Sequence, residues 1–295
     1  MVQMAQEKNK TDEKAEIAII GGTGVYDSDA FENIREVDVE TPFGKPSDKI
    51  LIGEYEGRSV AFIPRHGRGH IYSPTNLPYR ANIYALKKLG VERVISVAAV
   101  GSLKEEIRPL DIVIPDQIFD RTKHRTDTFF EDVVIHVGVA DPFCPQLRNV
   151  AIEVLEKLGM SYHGKGTYVC IEGPQFSTKA ESNVYRSLGF DIIGMTALPE
   201  AKLAREAEMC YVTIATVTDY DVWKEEQVDV KTVLENAAKN EENVKAILRE
   251  MIPKIPEKKE CECENALKFA ITTSPDKIGS DVREKLGIFL NKYLG

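Results

Sequence analysis

Two aspartates stand almost side by side where an apolar segment of the chain ends. In "IATVTDYDVW" (residues 214–223), β-branched and apolar residues lead to Asp219 and Asp221, which only Tyr220 separates. Because alternate residues of an extended segment face the same way, we expect both carboxylates on one wall of a pocket. Neighbouring carboxylates raise each other's pKa, so one of them can hold a proton near neutral pH.

Such a pair can both accept and donate a hydrogen bond. The Hoogsteen edge of adenine needs that combination, because its amino group donates while N7 must be protonated before the base departs. The alternative is structural, with one aspartate capping a local turn and the other at the surface.

A second group of reactive side chains surrounds two glycines in "PRHGRGH" (64–70). It contains Arg65, His66, Arg68 and His70. The planar fork of an arginine matches phosphate oxygens, so this basic cluster in an acidic chain indicates a bound oxyanion. The two glycines argue against a helix that would aim both histidines at a metal ion. The alternative is a solvated basic loop.

Two further motifs could complete an anion site. "IIGGTG" (19–24) runs from an apolar segment into a glycine-rich turn, where backbone amides can approach an anion and Thr23 adds a hydroxyl. It lacks the lysine of a P-loop and the third glycine of a dinucleotide motif, and a plain tight turn is the alternative. In "GMT" (194–196), Thr196 could close the anion site from the opposite side.

These motifs follow the strands of a predicted α/β fold. Helical patterns that end in glycine alternate with segments rich in Val and Ile, and Gly90, Gly159 and Gly189 stand where helix caps are expected. The alternation predicts one twisted, mostly parallel (mixed) sheet flanked by helices, with later helices over 229–251 and near 279–293. Ligands of such sheets collect at the carboxyl ends of the strands, where all these motifs fall.

Composition narrows the choice of partners. The 295 residues, of which 43% are hydrophobic, suffice for a full core, and we interpret 1–14 as a disordered polar tail and 15–295 as a single domain. The formal net charge of −9 argues against a nucleic-acid partner, and the apolar runs are too short for a membrane span. The polar opening lacks the pattern of an export signal, which favours a cytoplasmic location.

The five cysteines raise a separate question. In such a location they are expected to be reduced and buried, as for Cys170. Cys261 and Cys263 depart from this in the charged segment "KKECECEN", where burial is not expected and a redox or disulfide role is the alternative. Their flanks supply no further thiolate or histidine, so no metal site is expected. Cys144 could pair with Cys210.

Taken together, the chain from about residue 16 to 250 resembles the trimeric purine nucleoside phosphorylase family, and within it the methylthioadenosine phosphorylases. The motifs that carry the resemblance are "IIGGTGVYD", "TPFGKPSD", "RHGRGH", "DPFCP", "IEGPQFSTKAES", "GMTALPEAKLAREAEMCY" and "ATVTDYDVWK". The resemblance implies an open α/β domain that forms homotrimers or dimers of trimers. It also implies phosphorolysis of methylthioadenosine in purine and methionine salvage, with phosphate as a co-substrate and no cofactor or metal.

The resemblance further implies roles for individual residues. For phosphate they are Thr23, Arg65, His66, Ala98, Ala99 and Thr196. For the nucleoside they are Met195 at the ribose, Phe176 and Ser177 beside base and sugar, Asp219, Tyr220 and Asp221 at the base, Val230 beside the methylthio group, and His136 reaching the 5′ group from a neighbouring subunit. Asp219 and Asp221 are the expected catalytic residues. The family often has Thr-Ala where this chain has Ala98 and Ala99, which removes one hydroxyl from the anion site.

Three other functions fit parts of the pattern. A purine nucleoside phosphorylase of broader specificity would cleave adenosine or inosine. A histidine phosphatase also carries "RHG", although there the motif follows the first strand. A non-catalytic nucleoside-binding protein would keep the pocket without needing a phosphate site.

Overall fold

The structure, a computed structural model, describes residues 14–224 and 230–294. The predicted tail, residues 1–14, therefore lies outside the described residues except for its last member. The strands are β1 (Ile17–Gly21), β2 (Glu32–Val37), β3 (Ile50–Tyr55), β4 (Arg58–Pro64), β5 (Arg93–Ser102), β6 (Ile112–Val113), β7 (Gln117–Arg121), β8 (Tyr162–His163), β9 (Thr167–Ile171), β10 (Ile192–Gly194) and β11 (Cys210–Asp219). The helices are α1 (Tyr79–Lys88), α2 (Pro145–Leu158), α3 (Lys179–Ser187), α4 (Ala197–Glu206), α5 (Val230–Met251) and α6 (Ser280–Leu294).

The described strands form one mixed sheet, as the sequence predicts. Its main path runs β2-β3-β4-β1-β5-β10-β9-β7, while β11 pairs with β5 and with β6, and β6 also pairs with β8. Strand β1 is parallel to β4 and β5, β11 is parallel to β5, and β9 is parallel to β7 and β10. Antiparallel pairs join β2, β3 and β4 at one edge and link β5 with β10. The predicted mostly parallel, mixed sheet flanked by helices is confirmed.

Alternation along the strands explains why helices cover both faces of the sheet. In β1, Ile17 and Ile19 pack into a core shared with α2 and α5, whereas Ala18 and Ile20 pack into a core shared with α1, α4 and α6. A strand that is buried on both faces reads as a continuous apolar run, which is how β1, β5 and β11 appear in the sequence.

The helix ends also follow their predicted chemistry. Gly90, Gly159 and Gly189 have φ angles of 86°, 64° and 84°, the left-handed conformation that glycine adopts without a Cβ clash. Helices α5 and α6 lie within one residue of the predicted ranges. In the part of the chain that the structure describes, no helix has both the length and the apolar character needed to cross a bilayer.

The cysteines agree with the expectation of reduced, mostly buried thiols, but the segment with Cys261 and Cys263 differs from it. All five lie in described residues and are free, so the disulfide that the sequence left as an alternative is not formed in this structure. Cys263 is buried although its segment is charged, because its side chain packs into the core shared with α2 and α5. Cys144 and Cys210 lie beside Cys261 and Cys263, with all four sulfurs within 4.8 Å of one another. The expectation of no metal site considered only the chain neighbours of Cys261 and Cys263, which cannot reveal ligands from distant segments.

Candidate active site

A cavity of about 410 Å³ opens where β1, β4, β5, β9, β10 and β11 end or bend. Its walls include most of the residues predicted from sequence: Arg65, His66, Ala98, Ala99, Phe176, Met195, Thr196, Asp219 and Asp221. The carboxyl ends of parallel strands meet at one edge of a sheet, which is why motifs far apart in the chain converge here.

The two aspartates lie together, but for a different reason from the one predicted. Strand β11 ends at Asp219 after an irregularity in its pairing with β5, and Asp221 begins a 3₁₀ turn with φ of 53°. They are therefore not alternate residues of one extended strand. Oδ1 of Asp219 accepts the backbone N–H of Asp221 at 2.7 Å, which closes the turn. A left-handed φ at a non-glycine residue is a local strain that is often found at functional sites.

A glycine on the neighbouring strand makes room for both acids. A Cβ on Gly101 would lie 2.9 Å from Oδ1 of Asp219 and 3.4 Å from Cβ of Asp221. Any larger residue at this position of β5 would push the acids out of place. The absence of a side chain at Gly101 therefore allows Asp219 and Asp221 to pack against β5 at this end of the cavity.

The surroundings of both carboxyls favour protonation. Burial raises the pKa of Asp219, against hydrogen bonds from the hydroxyl of Thr218 and the amide of Asp221 that lower it. Burial also raises the pKa of Asp221; the Ser182 hydroxyl opposes this, and the charge of Asp219 adds to it. Neither Oδ2 of Asp221 nor the hydroxyl of Ser182 makes a well-formed hydrogen bond within the described residues. Both atoms are buried, so the unpaired Asp221 oxygen is shielded from solvent.

Arg65 reaches the cavity, but its planar fork faces another side chain. The residue is 2% exposed, and its guanidinium forms a two-pronged ion pair with Glu200, with N–O distances of 2.9 and 3.0 Å. Further hydrogen bonds run to the hydroxyl of Ser96 and to the carbonyls of Ile20 and Val97. Only one N–H, on Nη1, is without a partner among the described residues. The bidentate contact predicted for phosphate is instead made with Glu200.

Glu200 keeps the buried arginine charged. Burial lowers the pKa of Arg65, but the charge and hydrogen bonds of Glu200 outweigh it and raise that pKa. The hydroxyls of Ser96 and Tyr211 each donate to Oε1 of Glu200 at 2.8 Å. Sequence analysis missed Glu200. The one available signal was an acidic residue in a helix whose neighbours are apolar, since a buried acid requires a partner.

His66 presents its Nε2 as a hydrogen-bond acceptor. Its Nδ1 lies 2.8 Å from the carbonyl oxygen of Tyr72, and a carbonyl only accepts, so Nδ1 carries the proton. Burial lowers the pKa of His66 to about 4, so the ring is neutral at pH 7. The ring stacks on His70, with centroids 4.2 Å apart, and His70 also lines the cavity. A neutral Nε2 suits an anion that itself brings a proton, as hydrogen phosphate does.

The small residues of the predicted anion site lie in two places. Ala99 faces outward between buried neighbours of β5, and Ala98 lies beside it. Thr196 is buried at the start of α4. Thr23 itself does not line the cavity, although the adjacent Gly22 does. Thr23 is exposed at the start of a 3₁₀ turn.

The rest of the cavity is mainly apolar. Met195 and the half-exposed Phe176 form part of this wall. Helix α5 contributes Val233, Leu234 and Ala237, none of which was predicted. Helix α5 begins at Val230, but the side chain of Val230 lies outside the described part of the chain, so its predicted contact with the methylthio group stays a prediction.

Three further predicted residues do not line this cavity. The Tyr220 ring packs edge-on against Trp223. The hydroxyl of Ser177 is buried without a hydrogen-bond partner among described residues. His136 is exposed on a separate surface cavity, where its backbone amide donates to the carbonyl oxygen of Ala270 at 2.9 Å. The structure therefore gives His136 no contact with the site of its own chain.

Comparisons with known proteins agree with this geometry. The sequence model of the Phosphorylase superfamily matches residues 16–253. A Koribacter versatilis protein named S-methyl-5′-thioadenosine phosphorylase is 54% identical over 285 residues, which cover 96% of this chain and 98% of its own. The Pyrococcus horikoshii protein of the same name is 57% identical over 253 residues, which cover 85% of this chain and 97% of its own.

Solved structures agree as well. The methylthioadenosine phosphorylase from an antarctic soil metagenomic library superposes with a TM-score of 0.91 at 47% identity, covering 94% of this chain and 99% of its own. Methylthioadenosine phosphorylase from Schistosoma mansoni, in complex with adenine, gives a TM-score of 0.81 at 37% identity over 86% of this chain and 96% of its own. The chain therefore belongs to the phosphorylase superfamily and, within it, to the family of S-methyl-5′-thioadenosine phosphorylases.

Proposed function

We propose that this protein catalyses the reversible phosphorolysis of S-methyl-5′-thioadenosine to adenine and 5-methylthioribose 1-phosphate. The observation that carries the proposal is one cavity that brings a buried pair of aspartates together with His66, Thr196 and an apolar wall. The relatives and solved structures that bear this activity in their names support it. Inorganic phosphate is the co-substrate, and the proposal requires no cofactor.

At the acidic end, the aspartates bind the base and help it leave. A protonated Asp219 carboxyl donates its proton to N7, so the purine departs as a neutral base rather than as an anion. Asp221, which also lines the cavity, accepts a hydrogen bond from the exocyclic amino group through its carboxylate. Burial raises the pKa of both carboxyls, which favours the protonated form that the donor requires. General acid catalysis of this kind is worth about 10²–10⁴-fold in rate.

At the opposite end, phosphate lies against His66, Thr196 and the backbone of β5 at Ala98 and Ala99. Hydrogen phosphate keeps its proton and donates a hydrogen bond through it to Nε2 of His66. It accepts from the Thr196 hydroxyl and from the Arg65 N–H that has no partner among the described residues. Because Glu200 neutralises Arg65, the site is polar without a large net positive charge. Without a large positive charge, the site does not bind phosphate or the phosphorylated sugar so tightly that release of the product becomes slow.

The sugar lies between the two ends. Cleavage of the N-glycosidic bond passes through a cation-like sugar, and the phosphate dianion beside C1′ stabilises the positive charge that develops there. Met195 contacts the ribose. The apolar residues that α5 contributes to the cavity support a pocket for the methylthio group, because a polar pocket built to bind a 5′-hydroxyl would disfavour a thioether.

Substrate breadth distinguishes the main alternative. A phosphorylase of broader specificity would cleave adenosine or inosine about as well as methylthioadenosine. We expect Val230→His to favour adenosine over methylthioadenosine, because an imidazole can bond a 5′-hydroxyl but not a thioether. An unchanged ratio of kcat/KM for the two nucleosides would contradict the assignment of Val230 to the pocket for the 5′ group.

One assay separates the proposal from its rivals. Chromatography of products from methylthioadenosine, adenosine and inosine should show free adenine from methylthioadenosine only when phosphate is present. A histidine phosphatase would instead form a phosphohistidine at His66 that rapid quenching can trap. A nucleoside-binding protein would release no base under any condition. Release of adenine without phosphate would indicate hydrolysis and overturn the proposal.

We also propose a homotrimer, alone or paired into a hexamer, in the cytoplasm. The segment around His136 supports a subunit interface, because Val134 and Val139 are exposed there and Phe269, on the segment bonded to it, is 90% exposed. If His136 serves the site of a neighbouring subunit, mixing His136→Ala with Asp219→Asn subunits should restore part of the activity that each lacks. No restoration in mixed oligomers would count against the shared site.

A further inference from the structure

Four cysteine sulfurs lie together near the start of β11, whereas the active-site aspartates lie at its other end. Cys144 directly precedes α2, Cys210 begins β11, and Cys261 and Cys263 lie in the segment between α5 and α6. Their Sγ atoms all lie within 4.8 Å of one another. The fifth cysteine, Cys170, is not part of this group.

The spacing of the sulfurs suits one central ion. Zinc binds thiolate sulfur at about 2.3 Å, so two sulfurs at the corners of a zinc tetrahedron stand about 3.8 Å apart. The sulfur of Cys261 lies 3.6 Å from that of Cys144 and 3.4 Å from that of Cys210. Cys261 is thus nearly equidistant from two partners, so neither pair is singled out for a disulfide. Four soft thiolates in this arrangement are the ligand set of structural zinc sites.

The surroundings can hold the resulting charge. Zinc with four thiolates carries a net charge of about −2, which needs nearby donors when the site is buried. Nη1 of Arg205 lies 3.8 Å from the sulfur of Cys263, within reach of a charge-assisted contact. Cys144 is the N-cap of α2, where the positive end of the helix dipole favours a thiolate. Cys144, Cys210 and Cys263 are buried, and only Cys261 is partly exposed.

We propose that these four cysteines bind one zinc ion in a closed, structural site. The ion displaces the thiol protons and leaves no open coordination position, so it takes no part in the reaction. It ties the segment after α5, which lies beyond the region matched by the family model, to the core. That segment is otherwise held by hydrogen bonds such as those from Arg93 to the carbonyls of Pro256 and Glu257.

Metal analysis of the full-length protein tests the proposal. Protein purified without chelators should contain about one zinc per chain by inductively coupled plasma mass spectrometry. Replacement by Co²⁺ should give the intense sulfur-to-cobalt charge-transfer bands of a tetrahedral thiolate site. A protein without bound metal, or a cobalt spectrum without these bands, overturns the proposal.

Variants locate the site. Cys261→Ser with Cys263→Ser should lower the zinc content by about tenfold or more, because two of four ligands are lost. Cys170→Ser is the matched control, since it removes another buried thiol and should leave zinc content unchanged. Retention of zinc in the double variant, or its equal loss in the control, would contradict the assignment. If the double variant does not fold, the metal content and cobalt spectrum of the unaltered protein decide.

Intact mass spectrometry separates the alternative. Two disulfides among the four cysteines would lower the mass by two hydrogens per bridge and block alkylation without reductant. That result, in protein free of zinc, would replace the metal site with a pair of disulfides.

Discussion

The substitution Asp219→Asn isolates the proton that the proposed mechanism transfers to the base. We expect the variant to fold, because an asparagine can keep the contacts of the aspartate. Its carbonyl oxygen can accept the Asp221 amide now bound at 2.7 Å, and its amide can donate to the Thr218 hydroxyl now 2.7 Å from Oδ2. That hydroxyl can turn its own proton towards the carbonyl of Val100 at 3.2 Å.

The expected loss concerns the reaction rather than stability. Removing the acid should lower kcat/KM for methylthioadenosine by about 10²–10⁴-fold, or about 2.7–5.5 kcal/mol of transition-state stabilisation. A 6-oxopurine analogue should lose less, because the remaining N–H of the new amide can donate to its N7 or O6, whereas the 6-amino group of adenine offers no acceptor there. The ratio of kcat/KM for 6-amino over 6-oxo substrates should therefore fall by at least about tenfold.

The assay is steady-state release of base at saturating phosphate, with the two substrates side by side. Asp111→Asn is the control, since Asp111 is also buried and bonded, to His163 and the Arg108 amide, but does not line the cavity. The control should leave the substrate ratio unchanged. Equal losses on both substrates in Asp219→Asn would refute the base-reading role.

Three further changes test other parts of the protein. His66→Asn keeps a hydrogen-bond donor near the position of Nδ1 and removes the acceptor Nε2. The KM for phosphate should therefore rise about tenfold, while the KM for the nucleoside changes little. An equal rise in both KM values would contradict this role of His66. Glu200→Gln leaves the buried charge of Arg65 uncompensated and should lower the free energy of unfolding in urea by about 3–5 kcal/mol, and a loss below about 1 kcal/mol would refute the ion-pair role. Burial raises the pKa of Glu206 from 4.5 to about 7, so the folded protein holds a proton that the unfolded chain releases, and stability should fall as pH rises through that window. Unfolding measured at about pH 5 and about pH 8 should show a smaller fall in Glu206→Gln, and an unchanged fall would show that another group is responsible.

Local patterns in the sequence predicted the fold well. The positive φ angles at Gly90 and Gly159 and the bounds of α5 follow from short-range rules for caps and periodicity. The motifs Arg65–His66 and Asp219–Asp221 were placed at one edge of the sheet because each follows a strand. Such rules need only residues that are neighbours in the chain.

Contacts between distant segments could not be predicted in this way. Glu200 is 135 residues from Arg65, and Cys261 is 117 residues from Cys144, so no local pattern joins either pair. The conformation of Asp221 also escaped prediction, since a left-handed turn after β11 replaced the extended backbone that alternation assumed. Each of these depends on tertiary packing, which a single sequence does not display.

A crystal structure with adenine and phosphate bound tests the central claim most directly. We expect N7 of the base within hydrogen-bond distance of the Asp219 carboxyl, its amino group at Asp221, and phosphate against His66 and Thr196. A base lodged elsewhere, or aspartates that turn away from it into solvent, would contradict the proposed mechanism.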